Sequence, residues 1–416
     1  MVTWRSNDSG AVTDAVRDIY LRYASGGAGV IVLEAMGIRD IASGPLMRIG
    51  DDRYVPALRQ LVTDMRASGA SIVLPQLIDF LKISRRRPTR KFMEELVARG
   101  ALGPDVLALT DGQFESAYER YLPSQRLQRD FLYGYRQTIE DLDLDEIRRI
   151  PRWFGEAAQR AKACGFDGVE LHFAHAYTMA SFLSVTNSRT DAYGGTFENR
   201  IRLALEVIEE VRGAVGTDFI VGCRMLGSED ILLPDGTLHG NTLHESTRLA
   251  LALAQAGLDF LSISRGGKFD DATQPAVGEA VYPYTGHSGH ACMPRHKRIA
   301  AGVNAHLASD IRTAIEGSGG PQPVIIGSGK IGSFDLAERL LARGQMDAVG
   351  MARALLADPD LPRKWLAGRD DSVRTCVYCP YCEDEDQRHR VVTCTLWPRE
   401  PSSRTHCIPD VWEPAA

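Results

Sequence analysis

The sequence predicts an α/β chain built as a (β/α)8 TIM barrel, with seven strands evident and the first one missing, followed by a small cysteine-rich C-terminal appendix. Three observations carry this expectation. Short β-branched runs alternate with amphipathic helical stretches along most of the 416 residues. The runs are apolar on both faces, as strands of a parallel sheet covered by helices must be. Polar or charged residues close most of them, and the C-terminal strand ends are where such a barrel assembles its site. An open doubly wound sheet is the competing architecture, but no Gly-x-Gly-x-x-Gly follows an early strand.

In chain order the predicted strands cover residues 29–34, 71–76, 166–172, 219–224, 258–264, 323–327 and 346–350, with Glu34, Gln76, His172, Arg224 and Ser264 closing the first five. Between them lie helices such as residues 199–215, where Ile201, Leu205, Ile208 and Val211 recur at helical spacing. Residues from about 80 to 150 contain no strand pattern and read as an insertion over the mouth of the barrel. They hold a basic run from Arg85 to Lys91 and a helical piece near residues 91–99. That run is either a clamp for an anionic substrate group or, more simply, a solvated loop face. Residues 1–370 are thus expected to form the barrel and residues 371–416 a small [4Fe-4S]-binding segment packed beside it.

A 44% hydrophobic, 25% charged composition suits a folded core and excludes a disordered or collagen-like chain. The net charge of −6 gives no reason to expect nucleic acid or an anionic membrane as partner. No apolar run approaches the roughly 20 residues of a membrane span, and the N-terminus lacks the order of a secretory signal. The expectation is a cytoplasmic protein acting on a small molecule.

Cys376, Cys379, Cys382 and Cys394 are spaced C-x2-C-x2-C-x11-C. Three thiols close together and a fourth at a distance suit a [4Fe-4S] cluster, whereas structural zinc more often takes two separated pairs. Cys407 is a substitute ligand or a bystander. A one-electron cluster implies a second redox centre that handles electron pairs, most commonly a flavin.

The third strand ends in His172-Phe-Ala-His175-Ala-Tyr177, followed by a segment running to Arg200. This stretch resembles the old yellow enzyme family of FMN-dependent oxidoreductases, as do Asp8 to Asp14, Gly26 to Glu34, Gly222-Cys-Arg224 and Val349 to Asp360. The cysteine spacing is similar to the family's iron–sulfur branch, which includes 2-enoate reductase, 2,4-dienoyl-CoA reductase and trimethylamine dehydrogenase. The resemblance implies that Gln76 bonds the flavin pyrimidine edge and that Arg224 places its cation near N1 and O2. It also implies that Gly329, Lys330, Gly350 and Arg353 receive the FMN phosphate. His172 and His175 would polarise an activated C=C bond that accepts hydride from flavin N5, and Tyr177 would protonate the α carbon. Reading His-x-x-His as a zinc pair is less favoured, because the Glu of a His-Glu-x-x-His helix is absent.

Amine dehydrogenation or demethylation is the alternative chemistry, supported by the cysteine spacing and by aromatic residues around Tyr282 and Tyr284. Against it stand His172, where trimethylamine dehydrogenase has Tyr, and the acidic Glu383 to Asp386, where it has an aromatic residue. A catalytically silent electron-transfer subunit is the third reading. Compared with the family, the chain lacks a first barrel strand and a C-terminal FAD- and NAD(P)-binding region, which puts FMN retention in question. Electrons are expected from a separate electron-transfer protein or reductase subunit, or from NAD(P)H directly, in a homo-oligomer.

Overall fold

The computed structural model describes residues 1–41, 44–295, 299–399 and 406–412, so parts of the cysteine-rich segment (400–405 and 413–416) lie outside the described residues. Seven parallel strands form one curled sheet: β1 (Val30–Gly37), β2 (Ile72–Ile78), β3 (Gly168–Phe173), β4 (Ile220–Leu226), β5 (Phe260–Ser264), β6 (Val324–Ser328) and β7 (Ala348–Gly350). Their order in the sheet is their order in the chain. α1 (Asp14–Ser25) precedes β1, and one long helix fills each crossover. These are α2 (Val55–Ala67), α3 (Leu144–Cys164), α4 (Phe197–Val215), α5 (Leu243–Gln255), α6 (Ala305–Ser318) and α7 (Phe334–Ala342). The closed eight-stranded barrel is therefore present as an open arc whose edges are β1 and β7. Val30 and Val32 on the β1 edge are exposed.

Alternation along each strand sends one set of side chains outward to the helices and the other into the arc. On β4, Val221, Cys223 and Met225 are buried in the main core with Ile201, Val207, Ile208 and Val211 of α4. The inward set is Gly222 and Arg224. Gly222 leaves room for Phe260, since a Cβ there would come within 2.4 Å of the Phe260 ring.

A repeated device holds the N-terminal edge of the sheet. Asp167, Asp259 and Asp347, just before β3, β5 and β7, each accept the first free backbone N–H of the preceding strand, from Val73, Val221 and Ile325, at 2.7–2.8 Å. Each also pairs with a helix arginine: Arg66, Arg212 and Arg312. Replacing Asp259 by Ala leaves the Val221 N–H without its partner and should lower stability by about 1–3 kcal/mol in denaturant titration. An unchanged midpoint would show that the contact is idle.

The chain leaves β2 and returns at α3 through a helical insertion with its own small core of Phe92, Met93, Leu96, Phe114 and Phe131. Its basic run is internally occupied. Arg85 donates to Gly278 O, Arg86 to Pro275 O, Arg87 pairs with Glu95, and Arg90 donates to Leu107 O and Leu109 O. These contacts pin the insertion to itself and to the loop after β5, while Arg85 and Lys91 stay exposed.

The cysteine-rich segment does not stand apart. Cys382, Val392, Cys394 and Trp397 belong to the same buried core as the sheet. Val392 N–H donates to Thr3 O, and the Trp4 indole donates to Asp386 at 2.6 Å. Glu34 is accounted for here as well. It is buried and accepts from Thr3, so it anchors the N-terminal segment and does not line the site.

Candidate active site

The parallel register places His172 opposite Arg224 and Arg224 opposite Ser262, so three strands contribute to one row near the C-terminal edge. One layer below, Gln76 stands opposite Glu170 and donates to it at 2.6 Å. Arg224 donates to Ser262 Oγ at 2.9 Å and to Ser264 Oγ at 3.1 Å. Two of its five N–H groups are thereby used, leaving cationic donors for a further acceptor.

His175 has φ +60°, a left-handed backbone that turns the chain back at the end of β3. The turn seats His175 Nδ1 3.3 Å from His172 Nε2 and His175 Nε2 3.0 Å from Ser264 Oγ. Arg224 donates to Ser264, and one proton is shared between His175 Nδ1 and His172 Nε2, in a chain that runs Arg224, Ser264, His175, His172. The remaining His172 nitrogen is Nδ1. That atom is buried and has no partner among the described residues. His172 Nδ1 is thus the buried ring nitrogen without a protein partner, and both His175 nitrogens lie within hydrogen-bond distance of protein groups.

Burial, reinforced by Arg224, pulls the His172 imidazole down to about 3, and burial drives His175 well below its ordinary value. Both rings are neutral donors at neutral pH. The unfolded chain takes up protons on them below about pH 6.5 while the folded chain does not, so stability falls with pH by up to about 1.4 kcal/mol per unit and ring. Asp386 acts oppositely. Burial raises its carboxyl to about 6, giving stability that is present below about pH 4 and lost as pH rises through 6. His172→Asn should therefore flatten the acid limb of a stability–pH curve, and an unaltered slope would contradict the burial of a neutral ring.

Tyr177 begins the next turn, its ring 5.7 Å from His172 and edge-on to Phe80 at 5.1 Å and Phe269 at 6.1 Å. Burial raises its phenol above the ordinary value, so it holds its proton. Tyr284 packs 5.3 Å from His175 and 5.2 Å from Tyr282. Asp386 accepts from Tyr282 and Trp4 behind this wall. Cys292, absent from the sequence reading, lies 3.5 Å from His175 Nε2. It is the last residue of a short helix, His287–Cys292, that continues the Tyr282 to His290 segment after β5.

At the other end of the arc, Gly329 follows β6 with φ +120°, and Lys330 follows with φ +55°. A Cβ at Gly329 would come within 2.9 Å of Asn304. Lys330 Nζ and the Arg353 guanidinium lie 4.6 and 5.2 Å from the Tyr378 ring, bringing two cations together beside Gly350 at the end of β7. Arg353 also borders a small recess lined by Cys376, Cys379, Cys382 and Cys394. Cys407 does not line it. Among the described residues no three His, Cys, Asp or Glu side chains converge as one metal ion requires. Burial pushes the Cys382 thiol up to about 12.

Residues 1–280 match the NADH:flavin oxidoreductase / NADH oxidase family, and the chain belongs to it. It is 32% identical over 391 residues to a metal reductase of Desulforamulus reducens, covering 93% of this chain and 49% of that one. It is 26% identical over 409 residues to a cinnamate reductase of Clostridium sporogenes, covering 94% and 53%. The chain thus spans about half the length of these relatives. In fold it is similar to a 2-naphthoyl-CoA reductase, with a TM-score of 0.68 and 23% identity over 96% of this chain and 54% of that one. No helix among the described residues is long and apolar enough to cross a membrane.

Proposed function

We propose that the chain reduces an activated C=C bond, such as that of an enoate, enone or enoyl thioester. One observation carries this reading: His172 Nδ1 is a buried hydrogen-bonding atom without a partner, set beside a tyrosine that holds its proton. A buried polar atom left unpaired is costly, and a substrate oxygen removes that cost. The name of the cinnamate reductase relative supports the same class, since cinnamate is an alkene conjugated to a carboxylate.

FMN would supply the hydride. Gln76 and Arg224 fit its ring edge, where the remaining Arg224 donors favour developing negative charge. Gly329, Lys330, Gly350 and Arg353 would receive its phosphate, through the strand-end backbone and two converging cations. His172 holds the substrate oxygen and accepts the charge that builds there. His175, Ser264 and Arg224 keep the His172 proton on Nδ1. Tyr177 delivers a proton to the α carbon, and the Phe80 and Phe269 rings exclude water from its hydroxyl.

The four cysteines would hold a [4Fe-4S] cluster. The C-x2-C-x2-C-x11-C spacing and the common recess these cysteines line support the cluster. The cluster implies exchange with a separate electron-transfer protein or reductase subunit, with NAD(P)H as the direct alternative.

Dehydrogenation of an amine is the second reading, favoured by the Asp386 carboxylate behind the Tyr282 and Tyr284 rings, since such a set suits an alkylammonium. Anaerobic purification with FMN, iron and sulfide present tests both enzyme readings. The expected product carries flavin, iron and acid-labile sulfide together. A colourless protein, or one loaded with zinc alone, would contradict the redox assignment.

A further inference from the structure

We propose that Arg136 is the specificity residue of this site and that it selects substrates carrying a carboxylate or phosphate group remote from the reacting double bond. The inference rests on the alkene-reductase reading and names the substrate class within it.

Arg136 lies on the return leg of the insertion, where its backbone bridges antiparallel to Ile83. Its guanidinium carbon stands 4.5 Å over the Phe269 ring, and Phe269 meets Tyr177 edge-on. The cation is therefore one ring removed from the proposed proton donor. Phe269, Ala176, Ala272 and Val281 form an apolar cluster against Tyr177, Ile83 and Tyr133. Between the reacting centre and the cation the wall is thus apolar, matching a substrate whose alkene and anion are separated by a hydrocarbon or aryl spacer.

Of the other arginines nearby on the insertion, Arg126 pairs with Asp141 at 2.6 Å, and Arg120 and Arg129 are exposed to solvent. Arg136 is half-buried and has no ion pair or side-chain hydrogen bond among the described residues. The acids whose charge it feels are Asp270, Glu140 and Asp141, with Arg129 as a nearby like charge. Asp270 is exposed, Glu140 accepts from Ser188, and Asp141 is held by Arg126. Burial lowers the Arg136 pKa, the direction expected of a cation short of counter-charge. A guanidinium presents a planar fork of donors that suits carboxylate or phosphate, and stacking on Phe269 orients that fork.

The test measures equilibrium binding to the flavin-loaded full chain by calorimetry, with non-reducible probes. These are benzylacetone bearing a para-carboxylate, its methyl ester and the para-phosphate counterpart. At least one anionic probe should bind about tenfold or more tighter than the ester. The tighter of the two anions identifies the source. Arg136→Gln should remove that preference while changing ester affinity less than about twofold, and Arg136→Lys should retain part of it, since Lys keeps the charge without the fork. Equal binding of acid and ester to the native chain, equal weakening of both by Arg136→Gln, or no binding of any probe would overturn the proposal. The corresponding unsaturated ester tests the reductase reading separately. Failure of that enone to reoxidise reduced flavin, with the anion preference intact, would remove the reaction and keep the subsite.

Discussion

Tyr177→Phe is expected to slow reduction of an enone by about 10²–10³-fold while leaving flavin reduction by the electron donor nearly unchanged. The substitution deletes only the hydroxyl. The ring remains wedged between Phe80 and Phe269, so the fold and the cavity are retained. The proton donor is lost, and the charge that His172 helps to stabilise then waits for a proton from water. Because burial raises the Tyr177 phenol, the native oxidative half-reaction should be flat between about pH 6 and 9, where an ordinary phenol is also protonated. Anaerobic stopped-flow separates the two half-reactions. Equal slowing of both, or a native rate that falls with an apparent pKa inside that window, would contradict the donor role.

The second large effect concerns stability. Lys268 and Glu229 form an ion pair at 2.9 Å with both side chains about 2% exposed. The other Glu229 oxygen accepts from Ser184 Oγ at 2.6 Å and Asn241 N–H at 2.8 Å. The network joins the loops after β3, β4 and β5, and it fixes Gly267, the residue before Lys268. Gly267 has φ +75°, and a Cβ there would come within 3.0 Å of both Tyr284 and His175. Lys268→Met strands a buried carboxylate and should cost about 3–5 kcal/mol, because desolvation of the survivor is no longer offset. The double variant Lys268→Met with Glu229→Met should recover a large part of this loss. Denaturant midpoints decide the matter. A Lys268→Met loss below about 1 kcal/mol would show that the pair is not buried as described.

The legible part of this protein was what a local pattern encodes. All seven strands lie where both-face apolar runs place them, and His172 and Arg224 were recognisable as strand-end residues of one site. The contact of His175 with Ser264 is not legible in the sequence, since Ser264 lies on another strand and the two meet only through the register of β3, β4 and β5. Glu34 looked like a site residue because it ends an apolar run, yet β1 continues to Gly37 and the carboxylate turns to Thr3. The basic run misled in the opposite sense. Sequence shows where positive charge is concentrated but not which carbonyls and carboxylates consume it. The isolated Arg136, outside any run, is the one left facing the site's apolar wall. The seven strand patterns of the sequence correspond to a seven-stranded sheet among the described residues, open at β1 and β7.

The most direct test of the central claim is the reaction of the anaerobic, flavin-loaded chain with an enone after chemical reduction. The account predicts that the flavin colour returns on mixing and that saturated ketone forms in a one-to-one ratio with flavin reoxidised. A flavin that stays bleached with the enone, while the oxidised form is bleached by a methylated amine, would contradict it and establish amine dehydrogenation in its place.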